Sequence, residues 1–224
     1  DWNSISTWEM SLNNSTWVPA TSTPDQTSAV ITVRSPNTVN VTSNVSADQL
    51  VINSGAILFV NSGVIITILN GSSYDLTVND SAFVDGPGTV RSQGVGTSLY
   101  VDTYSYFLAD FTVNTGTTTV LDPSSPYEAK LYGIVTVDGG ATLDAGNSAA
   151  YDLELYGDVL NNGTINAVGS KIVFRCQNFI NNSVVSANIN MDTVTSLSGS
   201  GSYTGANLVI NASGNVILAN NITF

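Results

Sequence analysis

Three segments near the end of the chain read almost alike: Asp158-Val-Leu-Asn161-Asn162-Gly-Thr-Ile165, Gln177-Asn-Phe-Ile-Asn181-Asn182-Ser-Val-Val185 and Val216-Ile-Leu-Ala-Asn220-Asn221-Ile-Thr-Phe224. Their Asn-Asn pairs begin at 161, 181 and 220, offsets of 20 and 39, or one and two turns of a period near 20. An apolar triplet keeps similar time, in Leu153-Glu-Leu155, Ile172-Val-Phe174, Ile189-Asn-Met191 and Leu208-Val-Ile210. Short β-rich runs with Asn/Gly turns at a fixed period are the signature of a repeat array.

Working outward, strand-like runs begin at Val30-Ile-Thr-Val33 and continue through Val39-Asn-Val41, Leu50-Val-Ile52, Leu76-Thr-Val78, Leu99-Tyr-Val101, Phe111-Thr-Val113 and Val135-Thr-Val137. Alternation along each run turns one set of side chains inward and the other outward. Asn53-Ser-Gly55 and Asn61-Ser-Gly63 read as corners, because Asn and Gly tolerate the left-handed backbone of a sharp turn. An antiparallel sandwich also has many short strands. Hairpins, however, generate no 20-residue self-similarity, whereas coils of a parallel β-helix do. The expected fold is therefore all-β: a right-handed, single-stranded parallel β-helix with an N-terminal aromatic cap. It would hold nine or ten coils in a rod about 45 Å long. The Asn pairs would form a ladder at one corner, with side-chain amides bonding along the stack. Two stretches break the rhythm and read as outward excursions, 80–110 and 122–130.

Residues 1–29 stand apart. They hold all three tryptophans, Trp2, Trp8 and Trp17, and close on Pro19 and Pro24. A solenoid must cover its terminal core layer, so 1–29 is assigned as the cap and 30–224 as the coils. The alternative for these rings is a sugar-stacking platform. The strand-like run up to Phe224 leads us to expect the front portion of a longer protein, with downstream domains as partners.

Composition narrows function. The 224 residues carry 17 acidic and 5 basic side chains and no His, a net charge of −12. Neutralising phosphates takes Lys and Arg, so nucleic acid is disfavoured as a partner, as is an anionic membrane surface. No run reaches the length of apolar residues that crosses a bilayer as a helix. Without His, a Ser-His-Asp triad and Cys/His zinc sites are excluded. The one cysteine, Cys176, makes no disulfide framework. No cofactor is required. Calcium is the cation that the many Asp and Asn oxygens suit, although no calcium-loop motif occurs. Thr rows that order water on a flat face are a further β-solenoid device, and Thr is expected not to recur at a fixed coil position.

The opening Asp1-Trp-Asn-Ser-Ile-Ser-Thr-Trp8, then Trp17-Val-Pro19 and Val30-Ile-Thr-Val33, resembles the start of large surface β-solenoid proteins of the Bacteroidetes–Chlorobi type. Asn37-Thr-Val-Asn-Val41 leading to Leu50-Val-Ile-Asn-Ser-Gly55-Ala-Ile-Leu58 is similar to their coils. The resemblance implies a bacterial protein, secreted or held at the cell surface, often exported by the type nine route. Its motifs are structural and transfer no catalytic residue.

Two functions follow as expectations. The first is a structural or adhesive surface module, a stiff stalk or display platform facing a polysaccharide or a host or matrix surface. The second is a carbohydrate-binding or polysaccharide-degrading module. Glycoside hydrolysis needs two carboxylates, and Asp152 and Glu154 flank Leu153 on one strand, so both point outward as the candidate catalytic pair. Tyr151, Tyr156 and Asp158 would bind sugar beside them. Asp138 and Asp144 of the preceding coil would join the same face, and Lys171, one coil on, would neighbour Asp152.

Overall fold

Alternating apolar residues dictate a sheet whose inner face is dry. The computed structural model describes residues 1–102, 104–123, 128–146, 152–205, 208–211 and 217–219. The chain is 51% strand and 2% helical, a parallel β-solenoid of about 8 turns. At the spacing between strands that stack is about 40 Å long, slightly shorter than the sequence suggested.

Each coil has three sides. The first is built from Ile31–Val33, Leu50–Ile52 and Leu76–Val78, and passes through Val95–Val101 and Thr118–Pro123 to Thr142–Asp144 and Ser202–Tyr203. The second stacks Thr38–Val41, Ile57–Val60, Phe83–Asp85, Tyr106–Phe107, Ala129–Leu131, Asp152–Leu155 and Leu208–Ile210. The third runs from Val45–Ala47 through Ile65–Leu69, Thr89–Gln93, Asp110–Val113, Val135–Val137, Val159–Asn161, Asn178–Asn181 and Ser196–Ser198 to Ile217–Ala219. In two late coils single long strands, Thr164–Phe174 and Val184–Met191, cover the first and second sides without a break. Between coils every pairing among the described residues is parallel, which excludes the sandwich.

The apolar triplets fall into register as the sequence indicates. Leu153 pairs with Ile172, Ile172 with Ile189 and Ile189 with Leu208. Leu155, Phe174 and Met191 follow on the same inward line, all fully buried. Asn53-Ser-Gly55 and Asn61-Ser-Gly63 are corners: Ala56 N–H donates to Asn53 and Val64 N–H to Asn61, with φ of 73° and 72° at the two glycines.

The period is looser than 20. On the second side Val39 pairs with Leu58, Leu58 with Val84 and Phe174 with Met191, so a coil holds between 17 and 26 residues. From Thr38–Val41 to Asp152–Leu155 the second-side strands stay at two to four residues, while first-side strands lengthen to seven in Val95–Val101 and six in Thr118–Pro123. The strands described within 80–110, a stretch expected to leave the stack, stay within it. Phe83–Asp85, Thr89–Gln93, Val95–Val101, Tyr106–Phe107 and Asp110–Val113 all pair with coils above and below. Of the second expected excursion, 124–127 lies outside the described residues.

The first tryptophan enters the core cluster, fully buried. Its backbone N–H reaches Asn40 O at 2.7 Å, and its indole packs edge-on against Trp8 at 5.1 Å. The indole N–H groups donate to Pro24 O and, from Trp8, to Trp2 O. Trp17 is not part of this cluster: it is 40% exposed, with the Arg34 guanidinium 5.1 Å above its ring. Removing a buried aromatic typically costs about 3–5 kcal/mol. Trp2→Ala should lose stability in that range and Trp17→Ala under about 1 kcal/mol, measured by denaturant unfolding; equal losses would contradict this packing.

Candidate functional site

The outward positions of the second side carry the densest chemistry. Three of the five basic residues, Lys130, Lys171 and Arg175, lie here. Lys130 pairs in register with Glu154, and Asp152 with Lys171. Lys171 Nζ lies 2.8 Å from an Asp152 oxygen, so the neighbourhood read from the sequence is real and takes the form of an ion pair.

Glu154 departs from expectation. Alternation turns it outward, yet it is only 5% exposed. The Arg175 guanidinium, which follows Phe174 one coil on, closes over it. Its Nε and Nη2 donate to Glu154 Oε1 at 3.1 and 2.9 Å. The Tyr156 hydroxyl donates to Oε2 at 2.8 Å. Arg175 also reaches Asp192 on the following coil at 2.9 Å. A buried carboxylate is tolerated when paired and hydrogen-bonded in this way. Burial first, and then the hydrogen bond to Glu154, push the Tyr156 phenol up to about 12. The hydrogen bond to Glu154 likewise raises the guanidinium of Arg175.

The remaining candidates do not converge on this face. Asp144 lies on the first side, bonded to Gly146 N–H and Asn166. Asp138 follows the third-side strand Val135–Val137, and its carbonyl closes a corner turn to Ala141 N–H. Asp158, at the corner between the second and third sides, accepts from the backbone and side chain of Asn178 at 2.8 and 2.7 Å. A three-sided coil separates residues that a linear reading groups together. Tyr151 lies outside the described residues.

The Asn pairs are a structural device. Asn161 pairs with Asn181, and both are buried. Asn161 Nδ2 donates to Asn181 Oδ1 at 2.8 Å, and Asn182 Nδ2 to Asn162 Oδ1 at 2.8 Å. In the next coil Gly199-Ser-Gly201 replaces the pair, where Gly201 N–H donates to Asn181 O at 2.8 Å. Asn220-Asn221 lies outside the described residues.

Two further arrays escaped the sequence. Aromatic rings stack down the second side: Phe83 on Tyr106 at 4.7 Å, Tyr106 on Tyr132 at 6.4 Å and Tyr132 on Tyr156 at 4.6 Å. Arg175 ends the column, 5.8 Å from the Tyr156 ring centre. Thr does recur at fixed coil positions, against expectation: Thr118, Thr142 and Thr164 form one row, and Thr112 with Thr136 part of another. The signal was hidden because the Thr-to-Thr steps follow the changing coil length.

Elsewhere, Asp75 is fully buried and accepts from Gly71 and Ser98 N–H at 2.6 and 2.7 Å; its carboxyl is raised, first by burial. Among the described residues no group of three or more His, Cys, Asp or Glu gathers. Cys176 is buried, which pushes its thiol up to about 12 and keeps it from acting as a nucleophile. No helix among the described residues is long and apolar enough to cross a membrane.

These shifts set an alkaline limit. The folded state holds the Tyr156 and Cys176 protons above the pH at which an unfolded chain releases them, so unfolding releases protons there. Stability from these groups is complete below about pH 9 and falls as pH rises through about 12. Melting curves from pH 8 to 12 should show this decline, with a shallower slope in Tyr156→Phe. A flat profile in the wild type would contradict the burial of both groups.

The fold and side-chain arrays define a β-solenoid repeat protein. No family model, curated protein or solved structure matches the chain.

Proposed function

We propose that this chain is a structural or adhesive surface module, a rigid β-solenoid stalk or display platform within a larger secreted protein. The observation that carries this reading is the use made of the second-side carboxylates. Asp152 and Glu154 are held by the cations of the following coil, and Glu154 is also held by the Tyr156 hydroxyl. A general acid or nucleophile needs an oxygen open to substrate; here Asp152 Oδ2 and Glu154 Oε1 bind one coil to the next, and Glu154 Oε2 is taken by Tyr156 of its own coil. The role is mechanical: coil-to-coil hydrogen bonds, a dry core and side-chain ladders resist extension, and the acidic remainder of the surface keeps the rod soluble. Residues 1–29 act as its cap, with Trp2 over the first coil. The placement is extracellular, as the resemblance of the opening residues implies, and the partners are a polysaccharide or a host or matrix surface together with domains downstream.

A polysaccharide-binding reading rests on the exposed rings of Tyr74, Tyr104 and Tyr106. Glycan-array binding and reducing-sugar release on the wild type and on Asp152→Asn/Glu154→Gln separate the two. The scaffold reading predicts no turnover by either protein and a lower melting temperature in the double variant. Turnover that the double substitution abolishes, with the fold intact, would establish the enzyme instead.

A further inference from the structure

The aromatic column on the second side has a property that packing alone does not require. Its phenol at Tyr156 is hydrogen-bonded to a carboxylate, 2.8 Å from Glu154 Oε2, while Arg175 occupies Oε1 and leaves Oε2 to the phenol. The neighbouring Tyr132 ring lies 4.6 Å away at an interplanar angle of 21°, and Tyr106 continues the column outward with 43% of its surface exposed. A phenol that loses one electron becomes a strong acid and must pass its proton on at once. A carboxylate already within hydrogen-bond reach takes it without reorganisation. At 4.6 Å the stacked rings of Tyr132 and Tyr156 are close enough for the hole to move between them.

We infer that Tyr156 and Tyr132 form an oxidative modification site, at which a one-electron oxidant generates phenoxyl radicals that couple into a dityrosine staple between successive coils. The balance is simple. Tyr156 gives one electron to the oxidant and its proton to Glu154 Oε2. Tyr132 gives a second electron to the oxidant and its proton to water. The two radicals join through ring carbons ortho to oxygen, forming one C–C bond. Each of those carbons loses its hydrogen as a proton while each phenolic oxygen regains one. The net loss is two electrons and two protons, and one persulfate ion accepts both electrons in becoming two sulfates. Such a bond would fix two coils of the rod covalently. It extends the scaffold reading without depending on it, since the chemistry requires only the column and its carboxylate.

The intact chain is irradiated with a ruthenium tris-bipyridine photosensitiser and persulfate, then digested and mapped by mass spectrometry. The expected product is a peptide pair joining Tyr132 to Tyr156, lighter than the sum of its parts by two hydrogens, and more abundant than any link between Tyr74 and Tyr100, whose rings lie 5.4 Å apart at an interplanar angle of 48°. Tyr132→Phe, which keeps the ring and removes the phenol, should abolish it. Glu154→Gln should slow formation of the link at neutral pH by about 100-fold, the lower end of what a positioned base contributes. Glu154→Asp, which keeps the charge facing Arg175 but withdraws the oxygen, should fall between; it also separates lost proton transfer from lost fold, because melting curves will show it folded. Absence of the Tyr132–Tyr156 link in the wild type overturns the inference, as does an undiminished rate of linking in both folded Glu154 variants.

Discussion

Asn181→Leu is expected to destabilise the protein by about 4 kcal/mol, because three groups each lose a hydrogen-bond partner at about 1–3 kcal/mol, partly relieved by added apolar contact. Asn181 Oδ1 accepts from Asn161 Nδ2 and from Ser183 N–H at 3.3 Å, and its Nδ2 donates to Ser202 O at 3.3 Å. Leucine has the same branched skeleton of four side-chain heavy atoms, bulkier at its two methyl groups, and makes none of these bonds. The loss is local in origin but reaches two coils, because Asn161 on one side and Ser202 on the other lose a partner together. Asn182→Leu is the control. Its bond to Asn162 is exposed, so water replaces the lost partner and the cost is under about 1 kcal/mol. Chemical denaturation of the three proteins measures both. Equal effects would mean that the buried amides do not act as a ladder.

Gly157→Ala should cost about 3 kcal/mol or more, for a different reason. A Cβ on Gly157 would lie 2.0 Å from the carbonyl oxygen of Gly133 and 2.3 Å from its carbon, one coil away. Those are backbone atoms of a stacked coil, and no side-chain rotation relieves the contact. Accommodating even one methyl in a closed contact costs about 1–3 kcal/mol when side chains can yield; here the coils must separate. In a protein of this size that corresponds to a melting temperature lower by roughly 10 °C. Gly140→Ala offers a contrast. Its φ is 75° and nothing lies within 4 Å of the added carbon, so only the left-handed backbone is penalised, by about 1–2 kcal/mol. A Gly157 variant no weaker than the Gly140 variant would show that the coils are not packed this closely.

How much of this was legible depends on coil length. Between Leu153 and Ile210 the coils hold 17 to 19 residues. There the apolar triplets lie on one inward line at nearly constant spacing, and the eye finds them. The buried Asn pair was readable for the same reason. From Leu58 to Leu155 the coils hold 23 to 26 residues, because corners and the first-side strands Val95–Val101 and Thr118–Pro123 lengthen while the second-side strands do not. Phe83, Tyr106, Tyr132 and Tyr156 therefore looked like scattered aromatics, and Thr118, Thr142 and Thr164 like a Thr-rich composition. The ion pair of Asp152 with Lys171 could be foreseen from register alone. The burial of Glu154 could not. Alternation assigns it to the outer face correctly, but its exposure is decided by Arg175 on the next coil, and a long side chain folding sideways leaves no periodic trace. Three-sidedness was the other hidden variable, and it removes Asp138, Asp144 and Asp158 from the acidic face that the chain order suggests.

The proposed role is mechanical, and it is tested by pulling on a single molecule along the solenoid axis from handles at the first coil and at Ile210. The expected result is a high yield force followed by release in coil-sized steps. About 20 residues at up to 3.6 Å each give roughly 70 Å of contour per step, with larger steps from the middle coils than from the late ones. Extension at the low force of an unstructured linker, with no coil-sized steps, would contradict it.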